Sequence, residues 1–138
     1  MKDEIVWYYV LKVMNKMFLN GAIREIPVFI DSLEEDMLGE FRFTDTGINS
    51  IILANNADMS DKQMIVVLLH EMVHQLVFQK YGPDVKEHGK EWLSEIKKIG
   101  FVEEDLAGLD FITDEIYATI LHEHSILVKA SDRDWETN

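Results

Sequence analysis

The chain contains no cysteine. That absence excludes a disulfide framework, a zinc ribbon and catalysis by a thiol, and it fits a reducing compartment. Positive charge is scarce: 13 Lys and Arg face 26 Asp and Glu, for a formal charge of -13. A standing nucleic-acid surface needs local positive charge, so this balance argues against one. The loose set Lys86, Lys90, Lys97 and Lys98 alternates with Glu87, Glu91 and Glu95 and reads as a solvated helix face of mixed charge. Long apolar runs are also missing. Residues 5–11 are too few to span a bilayer, and Met1-Lys2-Asp3-Glu4 carries acids where a secretory signal has basic residues. The expectation is a cytoplasmic protein without a membrane segment. No repeat, linker or low-complexity tract interrupts the 138 residues, and 47 % apolar content suffices for one core. A single domain over 1–138 is the simplest organisation.

What is present divides into periodic segments. Apolar residues at 5, 6, 9, 10, 13, 14, 17 and 18 recur with helical spacing, which predicts a first helix over 4–20 capped by Gly21. Three short strands are expected at 26–30, 38–43 and 48–53, separated by turn residues, and a three-stranded meander is the economical arrangement. Ser60 followed by Gln63 has the form of a capping box and opens a helix over 61–80, which Gly82-Pro83 ends. Ile65, Val66, Leu69, Val73, Leu76 and Val77 crowd one broad side of it, so it should be central and buried. A further helix is expected over 89–99, with Trp92, Leu93, Ile96 and Ile99 on its core side. Beyond it, 113–121 leans to helix, although the same stretch with 126–128 could instead be strand, and 131–138 reads as a frayed polar tail onto which Trp135 can dock. Together these elements make an α+β chain.

The chemistry concentrates in His70-Glu71-Met72-Val73-His74. Residues four apart rise from one helix face, so the two imidazoles can grip one cation, while Glu71 lies close enough to reach a water bound to it. Two ligands and a general base in five residues are what metal-assisted hydrolysis requires. A catalytic zinc takes a third protein ligand and keeps an open position. Position 80 is a lysine, so the arrangement with a third histidine six residues on is absent. His88 is the leading choice because it precedes a helix whose core stripe includes Trp92. Glu95, at the edge of that stripe, is a rival, and Glu91 points farther out.

The combination of His70-Glu71-Met72-Val73-His74 with His88-Gly89-Lys90-Glu91-Trp92 resembles the SprT-like family, which includes the Spartan proteases. The upstream order is similar too: a helix ending Phe18-Leu19-Asn20-Gly21, short strands, and Ile51-Ile52-Leu53 before the metal helix. The resemblance spans about residues 5–100. It implies a minimal zincin fold, zinc on His70, His74 and His88, Glu71 as catalytic base, and a protein or peptide substrate. It also implies association with DNA, which the acidic charge and the missing ribbon disfavour here. By the same analogy, 48–53 is the candidate exposed sheet edge for a strand-like substrate.

Tyr81 and Tyr117 are candidates for an oxyanion donor, with ordinary packing as the alternative reading. His122 and His124 would share a face only on a strand, and otherwise read as surface histidines. The methionines at 14, 17, 59, 64 and 72 read as core fillers. Two other readings remain open beside the zinc peptidase. One is a zinc-stabilised binding module without turnover. The other is an acidic decoy for a nucleic-acid-binding protein.

Overall fold

The computed structural model describes residues 5–100 and 112–136, with side chains described as far as 131. In chain order its elements are α1 (Trp7–Leu19), β1 (Val28–Asp31), β2 (Gly39–Phe43), β3 (Asn49–Ala54), α2 (Asp61–Tyr81), α3 (Lys90–Lys98) and α4 (Asp114–Glu136). The α+β class and the element order follow the sequence reading.

Helix α2 is the centre. Ser60 caps it as a full capping box: its hydroxyl accepts from the Gln63 N–H at 3.1 Å, and the Gln63 side chain accepts from the Ser60 N–H at 2.8 Å. From Ile65 to Leu69 five consecutive residues are buried, so this stretch is enclosed on all sides. The core around it takes Val10, Leu11 and Met14 from α1, Ile51 and Leu53 from β3, Trp92 and Ile96 from α3, and Ile120 from α4. Of the five methionines read as fillers, Met14 and Met72 are fully buried, while Met17 is exposed.

The sheet is not a meander. Its order is β1-β3-β2, with β1 parallel and β2 antiparallel to β3. The reason is legible in β3: Ile51, Ile52, Leu53 and Ala54 are all at most 4 % exposed. A strand apolar on both faces belongs in the middle of a sheet, whereas a meander would have put it at an edge. The end of β1 is tied beside the end of β3 rather than to β2. Asn56 accepts from the Leu33 N–H at 3.1 Å and donates to the Leu33 carbonyl at 2.9 Å, and the Ser32 hydroxyl donates to Asn55 at 3.0 Å. The expected substrate edge at 48–53 is therefore corrected: β3 is the inner strand, and β2 is an edge. Hairpin β2–β3 turns at Gly47 (φ +82°), with the Thr44 hydroxyl bonded to both the N–H and carbonyl of Ile48.

Helix α1 ends at Leu19, with Asn20 left-handed (φ 52°) before the expected Gly21. Asn15, buried at 5 %, exchanges two hydrogen bonds with the Ile23 backbone, and Gln75 and Gln79 of α2 hold the backbone of Ala22 and Arg24. These amides satisfy a connection that turns back across the core.

Helix α4 runs unbroken through 126–128 and includes the backbone of 131–136, so the strand alternative and the frayed start of the tail are both corrected. The side chain of Trp135 and residues 137–138 lie outside the described residues. His124 is 6 % exposed, not a surface residue, and its Nε2 accepts the Val6 N–H at 2.9 Å. Val6 precedes α1 and offers no capping side chain, so the imidazole supplies an acceptor there. Burial holds its pKa down, which preserves the lone pair.

Ser60→Ala removes the hydroxyl half of the capping box and is expected to destabilise the fold by about 1 kcal/mol. Urea unfolding should show a lower midpoint with an unchanged slope; an unchanged midpoint would mean that water replaces the cap without cost.

Candidate metal centre

His70 and His74 stand one turn apart on α2, and His88 approaches from the α2–α3 connection. Their Nε2 atoms form a nearly equilateral triangle: 3.1 Å between His70 and His74, 3.0 Å between His74 and His88, and 2.9 Å between His88 and His70. No other described set of His, Asp and Glu draws three ligand atoms together in this way. A tetrahedral cation at zinc–imidazole distance would set the nitrogens about 3.3 Å apart, so the triangle needs only a slight expansion to hold one. Three neutral imidazoles whose lone pairs meet at one point repel unless a cation or shared protons lie between them. The donor set fits a borderline-soft divalent metal.

Local backbone geometry aims the third ring. His88 is left-handed (φ 58°), which costs a β-substituted residue about 1–2 kcal/mol. The turn is closed by the Gly89 N–H donating to the Lys86 carbonyl at 3.1 Å. A Cβ on Gly89 would stand 3.0 Å from Lys86 Cβ and 3.1 Å from the Lys86 carbonyl oxygen, so the turn closes tightly only around glycine. The Trp92 indole, 1 % exposed, sits behind all three rings with centroid distances of 5.2, 5.7 and 4.7 Å to His70, His74 and His88.

Glu95 is not a ligand. It is 2 % exposed and receives Lys80 at 2.9 Å, Lys98 at 3.2 Å and the Tyr81 hydroxyl at 3.2 Å. Desolvation pushes its pKa up, but the two ammonium groups outweigh this and hold it below the ordinary value. The carboxylate thus pins α3 to the end of α2. Tyr81 is engaged in that same pin, away from the oxyanion role, and Glu91 does not join the triangle. Tyr117 lies beside Asp61 and Lys62 at the start of α2, over two turns from His70.

Glu71 is 8 % exposed and opens onto the same cleft as His74. Its carboxylate accepts the backbone N–H of Phe41. Gly39 makes that approach possible: a Cβ there would meet Val67 Cγ1 at 2.6 Å and Glu71 Cγ at 3.2 Å. Sequence reasoning did not find Gly39 or Phe41, although a glycine inside a strand is the usual mark of close backbone approach. It also missed Glu87, whose carboxylate comes within 4.0 Å of His74 Nε2.

A family model described as SprT-like matches residues 9–113, most of the chain and all three histidines. The chain belongs to the SprT-like family. Comparison with curated proteins gave no match. The family's H-E-x-x-H and H-G-x-x-aromatic segments, as they occur here, are the ones that meet at the histidine triangle, and the triangle is positioned to bind a metal ion.

Without a metal, burial sets the protonation of this SprT-like centre. His70 is pushed down to about 4 by desolvation and then by His74 and His88, against a smaller opposing effect of Glu87. His74 is likewise pushed down to about 4, by desolvation and His88. Both are therefore neutral and ready to ligate at pH 7. Desolvation, then Glu87, pushes Glu71 up to about 8, while the Phe41 N–H opposes the shift.

These values fix a pH dependence. Between about 4 and 6.5 the unfolded chain holds two histidine protons that the metal-free fold refuses, while the fold holds one extra proton on Glu71 above about 4.5. The unfolded state binds more protons overall, so stability rises with pH up to 6.5. From 6.5 to about 8 only the Glu71 proton remains in excess, now on the folded side, so stability falls. Chelator-treated protein should show a melting maximum near pH 6.5, and Glu71→Gln should remove the decline above it; a decline that persists in that variant contradicts the assignment. Gly89→Ala, by tilting His88, should weaken metal affinity about 10- to 100-fold in a competitive chelator titration. An unaltered affinity would show that the turn does not aim the ring.

Proposed function

We propose that this SprT-like protein is a zinc-dependent metallopeptidase. The observation that carries the reading is the triangle of Nε2 atoms with the buried Glu71 carboxylate opening onto the same cleft. In this reading His70, His74 and His88 hold the cation. Three histidines with an open position are the donor set of a hydrolytic zinc site, and zinc when bound supplies an acidified water and polarises a substrate carbonyl. Glu71 is the general base: its buried carboxyl opens onto the cleft beside His74, and the Phe41 N–H fixes which way it points. Glu71 would take a proton from the water whose oxygen adds to the carbonyl carbon, and give it to the amine nitrogen as the C–N bond breaks.

The open edge of β2 supports binding of an extended peptide. The Ala54 N–H donates to the Leu38 carbonyl, so the backbone groups of even-numbered residues in β2 face β3. Those of Gly39, Phe41 and Phe43 face outwards, and the Phe41 N–H is taken by Glu71. The rest are free for strand addition along the cleft. The site, its supports and the substrate edge all come from one unit, in keeping with a single domain. Among the described residues no helix is long and apolar enough to cross a membrane. A formal charge of -13 favours protein over nucleic acid as the partner, and a cytoplasmic setting remains our expectation.

A binding module without turnover has no use for a base beside its ligands, and that separates the two readings. Wild-type protein should carry stoichiometric zinc by mass spectrometry and degrade unfolded casein. His74→Ala and His88→Ala should lose the metal. Glu71→Gln should keep the metal and lose about 10²- to 10⁴-fold in turnover. Casein hydrolysis that survives Glu71→Gln would defeat the peptidase mechanism. Salt-sensitive capture of a basic protein that persists after zinc removal would instead favour the decoy.

A further inference from the structure

The cleft beside the histidine triangle has a volume of about 380 Å³ and changes character along its length. At the His74 end it is polar, with Glu71 and Glu87. One helical turn on, it is aromatic. Phe78 follows His74 by four residues, so its ring rises from the same face of α2. Phe43 stacks on it with centroids 4.5 Å apart and planes 28° apart, and Phe41 meets it edge-on at 5.5 Å. All three rings line the cleft. Phe43 nevertheless remains 47 % exposed. Phe43 thus keeps apolar area open while lining the cleft, and a concave apolar surface beside a cluster of candidate metal ligands has the chemistry of a ligand subsite.

Strand geometry connects the two ends. An extended peptide advances about 3.3 Å per residue and turns alternate side chains to the same face. A chain paired to the outer edge of β2, with its carbonyl at the histidine triangle, therefore lays a neighbouring side chain over Phe43 and Phe78. Charge restricts the occupant further. Glu40 is already paired with Arg42 at 3.0 Å, but Glu87 has no Lys or Arg partner among the described residues and its side chain is 79 % exposed. Lys86 also lines the cleft, so the rim is mixed, yet the Glu87 carboxylate, 4.0 Å from His74 Nε2, has no Lys or Arg to neutralise it among the described residues.

We propose that Phe41, Phe43 and Phe78 form the specificity-determining subsite of this protein, which selects extended peptides with a large aromatic or aliphatic side chain, and not an acidic one, next to the bond to be cleaved. The inference rests on the peptidase reading for cleavage but not for binding, and the test separates the two.

Three fluorogenic peptides of Gly and Ser, alike except for Phe, Ala or Asp at one central position, are given to the zinc-loaded full chain. The Phe peptide should exceed the Ala peptide in kcat/KM by about tenfold or more, and the Asp peptide should be the poorest. Phe78→Ala should bring the Phe-to-Ala ratio close to one, and Phe78→Leu should retain much of it. Phe29→Ala, a half-exposed phenylalanine on the far strand, should leave the ratio as in the wild type. Circular dichroism checks that each variant is folded. Equal rates for the Phe and Ala peptides, or a ratio untouched by Phe78→Ala in folded protein, overturns the proposal. If the wild type cleaves none of the peptides, the peptidase reading fails by itself. The subsite is then judged by fluorescence anisotropy on zinc-loaded Glu71→Gln protein: tighter binding of the Phe peptide that is lost in the added Phe78→Ala change supports it, and equal affinities overturn it.

Discussion

Three imidazole lone pairs aimed at one point are the constraint on which the rest of this molecule depends. Two of them come with one helix and cost the chain nothing in topology, because a spacing of four residues places them together. The third must be brought across a connection, and most of the unusual features of the structure serve that purpose. His88 accepts a left-handed backbone, Gly89 lets the turn close, Trp92 supports the rings from behind, and Glu95 fixes α3 to the end of α2 through Lys80 and Tyr81. Each is local chemistry with a long-range consequence: the distance from His88 to the α2 pair depends on all of them.

The same packing sets the electrostatics. Burial keeps His70 and His74 neutral, which a cation needs, and raises the proton affinity of Glu71. A buried carboxyl without a partner would be a liability, so β2 brings the Phe41 N–H to it. Gly39 is the residue that lets β2 come so close, and in doing so it leaves the outer edge of that strand beside the cleft. The seat of the Glu71 carboxyl and the exposure of a pairing edge thus share a single cause.

Much of this was legible from the residues. The H-E-x-x-H spacing, the Ser60–Gln63 cap and the His88-Gly89 pair follow local rules, and the structure follows them closely. The topology was less accessible, because economy of connection favoured a meander while the burial of β3 demanded a central place. The run Ile51-Ile52-Leu53-Ala54 carried that information, but its weight against connection length emerges only when the sheet is assembled. Glu95 could not be separated from His88 as a ligand by helix angle alone, since its decisive partners, Lys80 and Tyr81, come from another element. His124 was misjudged for a similar reason: its burial depends on contact between the first and last helices, distant in sequence. Tertiary partners, not local propensity, decided every one of these cases.

X-ray absorption at the zinc edge of the purified, zinc-loaded chain reads the ligand set itself. Convergence of His70, His74 and His88 on one cation should give a four-coordinate ion with three imidazole nitrogens at about 2.0–2.1 Å and one light non-protein ligand. A spectrum with fewer than three imidazoles, or one left unchanged by His88→Ala, would contradict it.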